Sequence, residues 1–240
     1  MGHNKLIRFE EILHFPNVLI YPEQQAGRWA EHFGNNHPVT LELACGKGDY
    51  TLALARRFPE ENFIGVDIKG NRIWKGARTA LDEGLRNVAF LRTQIGQLPA
   101  YFAPGEVKEI WITFPDPFLR KSKAKKRLTH PVFLHRYQQV LTPGGMIHLK
   151  TDSPELYAFT REVISENGCI LAEDIPDVYA LPAVPPLLDI RTFYESMHLA
   201  AGRTIRYLRF SLPDRLPPLP VKKQHEHGDA EILQDADKKQ

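Results

Sequence analysis

A glycine-rich turn and two acidic residues lie where neighbouring strands of a parallel sheet would end. The segment 41–50, LELACGKGDY, runs from a β-rich stretch into a helical pattern, and Gly46 and Gly48 would let a ligand approach its main chain. Glu42 stands inside the strand just before the turn, and Asp67 ends the next predicted strand. The spacing differs from the Gly-x-Gly-x-x-Gly of NAD sites, and a carboxylate at position 42 is a poor neighbour for a pyrophosphate. The pattern therefore disfavours an NAD dehydrogenase.

The two carboxylates suit a positively charged nucleoside cofactor. Glu42 is a favourable neighbour for a sulfonium compound with an α-amino group, and Asp67 can accept hydrogen bonds from both ribose hydroxyls. The arrangement resembles the motifs of class I S-adenosylmethionine methyltransferases. The alternative is that the glycines form only a tight turn and that Asp67 is a helix cap.

A third carboxylate lies beside a concentrated positive charge. Asp116 follows a predicted strand in Phe114-Pro115-Asp116-Pro117, and its flanking prolines restrict where the carboxylate can point. Six cations follow within eight residues: Arg120, Lys121, Lys123, Lys125, Lys126 and Arg127. Because the whole chain has a formal charge of only +2, the field is concentrated next to Asp116. A basic run at a sheet edge favours phosphate binding, although such a run alone can be an ordinary solvated face.

Alternating β-rich and amphipathic segments predict the elements that would position these residues. Strands are expected at 39–45, 62–68, 88–93, 109–115, 145–151, 169–175 and 204–212. Helices are expected at 49–58, 71–84 and 154–168, with Pro-Gly-Gly at 143–145 as a turn and 179–195 as a long irregular loop. This order predicts an α/β fold, a Rossmann-like and mostly parallel sheet with helices on both faces.

Length and composition predict one domain with short flanking segments. A chain of 240 residues with 42% hydrophobic content can build one α/β core. We expect an N-terminal extension packing on the domain at 1–38, the catalytic domain at 39–216 and a disordered polar tail at 217–240. With two cysteines, no signal-peptide pattern and no apolar run of about 20 residues, the sequence predicts a soluble cytoplasmic protein without a metal site.

Three motifs together resemble the bacterial tRNA (guanine-N7-)-methyltransferase family over about residues 39–210. They are Phe-Pro-Asp-Pro (114–117) with its basic run, His-Leu-Lys-Thr-Asp (148–152) and Thr-Phe-Tyr-Glu (192–195). The chain departs from the family at several positions. Residues 117–120 read Pro-Phe-Leu-Arg instead of Pro-Trp-Pro-Lys. Ser122 stands where this family has a histidine. Two further departures are from the motifs of class I S-adenosylmethionine methyltransferases, where Ala44 replaces a common glycine and Gln94 replaces an acid that binds adenine in many members.

The resemblance implies methyl transfer from S-adenosylmethionine to N7 of a guanine in tRNA, in the variable loop. By position it implies cofactor contacts at Glu42, Gly46, Asp67, Gln94 and Asp116. It implies substrate contacts at Arg120, Asp152, Thr192, Tyr194 and Glu195. Asp116 would also be the catalytic residue, and Lys123, Lys125 and Lys126 would contact phosphates. Asp152 could instead be a helix N-cap, and residues 192–195 could be an ordinary loop.

Other functions remain open at this stage. A class I methyltransferase could act on another RNA, a small molecule or a protein, although the cations beside Asp116 favour RNA. A non-catalytic RNA-binding protein could keep the fold, although Glu42, Asp67 and Asp116 favour an enzyme. The sequence leaves both a monomer and a homodimer open.

Overall fold

The computed structural model describes residues 3–219. Eight strands in this part of the chain are β1 (Val18–Ile20), β2 (Val39–Leu43), β3 (Asn62–Asp67), β4 (Val88–Arg92), β5 (Val107–Thr113), β6 (Leu141–Thr151), β7 (Ile170–Ile175) and β8 (Arg206–Ser211). They form one sheet in the order β1-β4-β3-β2-β5-β6-β8-β7. The first six pair in parallel, whereas β8 is antiparallel to both β6 and β7.

Seven α-helices lie within the same residues. They are α1 (His3–Glu11), α2 (Trp29–Phe33), α3 (Asp49–Arg57), α4 (Gly70–Asp82), α5 (Pro131–Gln138), α6 (Pro154–Glu166) and α7 (Phe193–Ala200). Short 3₁₀ helices span Ile12–His14, Ile95–Ala100, Lys121–Lys126 and Val178–Ala180. Most of the tail predicted to be disordered, from residue 220 onward, lies outside the described residues.

The sheet is covered on both faces, as the continuous apolar strands require. In β5, Ile110 and Ile112 pack on one side with Val163 of α6, whereas Trp111 packs on the other with Leu54 of α3. These five side chains are at most 3% exposed. The predicted α/β fold with helices on both faces is confirmed.

The Pro-Gly-Gly segment is part of a strand, so the turn expected at 143–145 is wrong. The β5–β6 register jumps from Val107 opposite Leu141 to Glu109 opposite Met146, which accommodates the extra residues as a bulge. Gly145 has a backbone position at which a Cβ would approach Lys108 O to 2.8 Å. Glycine is needed there because the two strands come so close.

The long loop expected at 179–195 is also partly wrong, because α7 begins at Phe193. Thr192 is its N-cap and accepts a hydrogen bond from Glu195 N at 3.1 Å. This Thr-x-x-Glu spacing is a helix-start signature that the preceding prolines obscured. Upstream, the predicted N-terminal extension contributes β1 to the sheet and Trp29 to the core.

The strand order reverses on either side of β2, which lies between β3 and β5. In open α/β sheets, ligands bind outside the carboxyl ends of the strands at such a reversal. The glycine turn follows β2, Asp67 ends β3, and Phe114 follows β5. The fold therefore brings the predicted cofactor and catalytic segments to one edge.

Candidate active site

The turn between β2 and α3 uses its two glycines for different purposes. Gly46 and Gly48 both have a left-handed backbone, with φ of 58° and 69°. A Cβ at Gly48 would lie 2.6 Å from the Phe90 ring, whereas a Cβ at Gly46 would meet nothing within 4 Å. Gly48 therefore permits packing against the sheet, and Gly46 is the one that faces open space. The expectation that both glycines face a ligand is corrected at Gly48.

Backbone strain is concentrated at the same edge of the sheet. Ala44, Phe114 and Phe118 have φ of 56°, 49° and 43°, a conformation that costs a non-glycine residue about 1–2 kcal/mol. The methyl group of Ala44 is thus placed in a backbone conformation suited to glycine. Strain of this kind persists where surrounding structure enforces it, and it often occurs at functional sites.

Glu42 is a buried carboxylate with a full set of local hydrogen bonds. One oxygen accepts from Thr51 N at 2.8 Å and Thr51 Oγ1 at 2.6 Å, and the other accepts from Thr113 Oγ1 at 2.8 Å. Burial raises the pKa of Glu42 to about 7, although the bonds from Thr51 and Thr113 oppose the shift. A cationic group placed beside Glu42 would favour its ionised form.

Asp67 ties the end of β3 to the glycine turn. Its carboxylate accepts from Gly46 N at 2.9 Å and from Lys69 N at 2.8 Å, one bond to each oxygen. A carboxylate oxygen can accept two bonds, so each retains capacity for a ligand hydroxyl. Gln94 follows β4 at the same edge and is exposed. Of the predicted cofactor contacts, Asp67, Gln94 and Asp116 do not line the cavity described next.

A cavity of about 50 Å³ lies over the turn and is closed by the start of α7. Its lining comprises Glu42, Ala44, Cys45, Gly46, Lys47, Asp49, Arg72, Thr113, Phe114, Thr192 and Tyr194. Phe193 N donates to Asp49 Oδ2 at 2.9 Å, and Lys47 Nζ lies 3.9 Å from the centre of the Phe193 ring. The structure therefore brings predicted cofactor residues together with Thr192 and Tyr194, which were predicted to bind substrate.

A larger, open cleft of about 570 Å³ lies next to this cavity. It is lined by Phe114, Pro115, Asp116, Pro117, Leu119, Asp152, Ser153, Pro154, Glu155, His198, Arg203, Thr204 and Arg206. Asp116 is exposed, and its Oδ1 accepts from Phe118 N at 3.0 Å, which fixes the carboxylate over its own turn. Phe114 lines both spaces and so forms the wall between them.

Asp152 faces the cleft and is not a helix cap. The N-cap of α6 is Ser153, whose Oγ accepts from Leu156 N at 3.1 Å. Asp152 Oδ2 instead accepts from Arg203 Nη1 at 2.6 Å and lies 3.4 Å from His198 Nδ1. The helix-cap alternative for Asp152 is therefore wrong, and the carboxylate shares the cleft with Asp116.

The basic run divides into exposed cations and one buried anchor. Arg120, Lys123, Lys125 and Lys126 are exposed along the 3₁₀ helix and its start. Arg127 is buried, donating from Nε to Pro117 O at 3.0 Å and from Nη2 to Phe118 O at 3.2 Å. It therefore holds the strained turn around Asp116 in place and is not available for phosphate.

Glu195 lines neither of the two spaces, and its predicted substrate contact stays a prediction. Its side chain is fully buried, 2.6 Å from Lys150 Nζ, and accepts from Tyr179 Oη at 2.8 Å. A lone lysine within the apolar β6 pattern was the available signal for this pair. His198 and Arg203 were missed because they come from α7 and the segment after it, and no local pattern relates them to Asp152.

The fold and this edge are those of a class I methyltransferase. A family described as putative methyltransferases matches residues 36–206. The 16S rRNA methyltransferase KamB has a similar fold, with a TM-score of 0.60 at 16% identity, over 80% of this chain and 96% of KamB.

Similar proteins from bacteria show which family of methyltransferases this is. The tRNA (guanine-N(7)-)-methyltransferase of Porphyromonas gingivalis is 51% identical over 82% of this chain and 85% of its own length. The protein of the same description from Bacteroides thetaiotaomicron is 46% identical over 89% of this chain and 87% of its own length. The chain belongs to the tRNA (guanine-N(7)-)-methyltransferase family.

Among the helices of residues 3–219, none combines the length and the apolar character needed to cross a bilayer.

Proposed function

We propose that this chain transfers a methyl group from S-adenosylmethionine to N7 of a guanine in tRNA, in the cytoplasm. The observation that carries the proposal is Phe114, which separates a cavity built on the glycine turn from an open cleft that contains Asp116. A donor on one side of this wall and a base on the other would meet at the end of β5. S-adenosylmethionine supplies an electrophilic methyl group on a sulfonium.

Two residues that line the cavity, Glu42 and Gly46, fit this cofactor, and so does Asp67, which accepts a hydrogen bond from Gly46 N. Gly46 leaves open space at the turn, Asp67 retains acceptor capacity for ribose hydroxyls, and Glu42 is a buried carboxylate suited to an α-amino cation. The cavity has room for only one or two water molecules, so admission of a nucleoside requires side chains at its rim, such as Tyr194, to rotate outward. Gln94, at the end of β4, is proposed to accept from the adenine amino group.

The reaction needs orientation more than proton transfer. Guanine N7 has a free lone pair in its neutral form, so attack on a methyl group releases no proton. Asp116 and Asp152 can accept hydrogen bonds from guanine N1–H and N2–H₂, a pattern that adenine does not offer. Positive charge moves onto the base during transfer, and these carboxylates stabilise it.

The cleft and the basic run are proposed to bind the RNA. Arg120, Lys123, Lys125 and Lys126 contact phosphates around an exposed or extruded guanine of the variable loop, and Thr192 and Tyr194 contact the nucleotide from the rim of the cavity. Contacts between these cations and phosphates do not depend on the RNA sequence, and they make tRNA binding strongly dependent on salt concentration.

Labelled methylation of unmodified RNA tests the proposal. We expect label from S-adenosylmethionine to enter tRNA transcripts and to be recovered as 7-methylguanosine after nucleoside analysis. A 16S rRNA fragment is the matched control, because KamB shares the fold. Label in the rRNA fragment alone, or in a different nucleoside, would contradict the proposed function.

A further inference from the structure

Lys150 is a fully buried ammonium group that the proposed chemistry does not use. It lies in β6, and its Nζ donates to the carbonyl oxygens of Leu188 and Ile190 and lies 2.6 Å from Glu195 Oε1. An ammonium has three donor protons. All three acceptors come from one short stretch of chain, residues 187–195, which we name the strap.

The strap has few other means of holding its position. Before α7 begins at Phe193, it belongs to no strand or helix, so it lacks a continuous ladder of backbone hydrogen bonds. Its further side-chain anchors include two residues of α3 and Tyr179. Tyr50 Oη donates to Leu187 O, Asp49 accepts from Phe193 N at 2.9 Å, and Tyr179 Oη donates to Glu195 Oε1 at 2.8 Å. Lys150 is the only one of these anchors that contacts three residues of the strap.

The pair with Glu195 is costly to keep in the protein interior. Burial lowers the pKa of Lys150, whereas the neighbouring Glu195 carboxylate opposes that shift. Buried ion pairs are often no more stabilising than apolar residues of similar size, so stability alone is a weak reason for this pair. An apolar side chain could fill the space, but it could not fix three acceptors in defined directions.

We propose that Lys150 is a positioning residue for the cofactor cavity. By fixing Leu188, Ile190 and Glu195, it sets where the strap passes over the glycine turn, and so where Thr192 and Tyr194 line the cavity. The inference rests on the proposed function, in which that cavity takes S-adenosylmethionine.

The test replaces Lys150 and Glu195 in one double variant, so that neither charge is left buried without its partner. We expect Lys150→Met/Glu195→Leu to unfold within a few degrees of the wild type but to bind S-adenosylhomocysteine at least about 10-fold more weakly in calorimetry. This loss follows if the strap holds its binding arrangement about a tenth of the time. Backbone amides of residues 188–195 should exchange hydrogen faster. Lys108→Met/Glu61→Leu, the same replacement of an ion pair near the opposite edge of the sheet, should change neither property.

Affinity within about threefold of the wild type, together with unchanged hydrogen exchange at the strap, would overturn the inference.

If the double variant does not fold, Tyr50→Phe gives the second test, because it removes only the bond to Leu187. We then expect faster exchange at the strap and an affinity loss of about 3-fold, the size of one hydrogen bond, and no change in either would overturn the inference. If the wild type itself does not bind S-adenosylhomocysteine, the proposed function fails, and hydrogen exchange still decides whether Lys150 fixes the strap.

Discussion

Two carboxylates on adjacent strands show how differently the two halves of the site are built. Glu42 in β2 is 3% exposed, accepts three hydrogen bonds, and has its pKa raised by burial. Asp116, just after β5, is exposed and accepts one bond from its own turn. The carboxylate in the cofactor half has its hydrogen bonds supplied by the folded chain. The carboxylate in the cleft keeps most of its acceptor capacity for a bound molecule.

Because of this difference, substitutions in the two halves should change different properties of the enzyme. Packing around Glu42 leaves little freedom, so substitutions there should alter cofactor affinity and its dependence on pH. Asp116 and the exposed lysines are held by local turns, so substitutions there should alter turnover and RNA binding while cofactor affinity is kept. Four variants test this separation.

The largest expected effect is on turnover in Asp116→Asn. The asparagine Oδ1 can still accept from Phe118 N, so the turn keeps its shape while the charge is lost. Removal of one preorganised electrostatic group costs about 10²–10³-fold in rate. We expect a loss of this size in single-turnover methylation, with tRNA affinity within about threefold of the wild type.

The matched control is Asp82→Asn on α4, a carboxylate in an exposed pair with Arg78. It should leave the single-turnover rate unchanged. Chemistry near the wild-type rate in Asp116→Asn would remove the catalytic role from Asp116, with Asp152 in the same cleft as the next candidate.

A second effect is expected when Lys123, Lys125 and Lys126 are replaced together by alanine. If each contacts a phosphate, the slope of log affinity against log salt should flatten by about 0.7–0.9 per lost contact. Binding of tRNA measured over a range of salt gives the slope, and cofactor affinity should not change.

The same number of cations near the amino ends of the strands provides the control for this triple variant. Replacement of Arg28, Arg86 and Lys108 by alanine should leave the salt slope as in the wild type. Equal slopes for the two triple variants would mean that the basic run is an ordinary solvated surface.

A third effect concerns pH and belongs to the cofactor half. The pKa of Glu42 rises from 4.5 to about 7 on folding, so its stabilising contribution is complete below pH 4.5 and is lost as pH rises through 7. In the ligand-free protein, Glu42→Gln should therefore gain up to about 3 kcal/mol in unfolding free energy relative to the wild type between pH 4.5 and 8.

Ionisation of Glu42 should also affect cofactor binding, but in the opposite direction. Folding favours the protonated carboxyl group, whereas cofactor binding should favour the ionised one. A cationic α-amino group favours ionised Glu42, so binding of S-adenosylhomocysteine below pH 7 should release a proton, and affinity should rise with pH up to about 7. Calorimetry in buffers of different ionisation enthalpy measures the proton. Equal proton release by Glu42→Gln would show that another group is responsible.

The smallest effect is expected for Ala44→Gly. Ala44 has a φ of 56°, and glycine adopts this conformation without the steric cost of about 1–2 kcal/mol. Because glycine also makes the unfolded chain more flexible, we expect a net gain near 1 kcal/mol in unfolding free energy. Ala53→Gly, inside α3, should instead lose about 1 kcal/mol, and a loss at both positions would contradict the strain at Ala44.

The sequence predicts residues at strand ends better than contacts made by the region around α7, because the signals at strand ends are local. Gly46 and Asp67 are identified by their places at strand ends, and the fold brings those ends together. The Lys150–Glu195 pair joins residues 45 positions apart in sequence, and the contact of Asp152 with Arg203 joins residues 51 apart. Such pairs depend on the path of the chain around α7, which no periodic pattern in residues 179–195 predicts.

A single atom in the RNA provides the most direct test of the central claim. A tRNA assembled with 7-deazaguanine at the variable-loop guanine has carbon in place of N7 and keeps the N1–H and N2–H₂ groups that the carboxylates are proposed to bind. The measurement is labelled methyl transfer to this tRNA and to an otherwise identical tRNA with guanine. We predict equal tRNA affinity and no transfer to the 7-deazaguanine tRNA, whereas undiminished transfer would contradict methylation of N7 at that position.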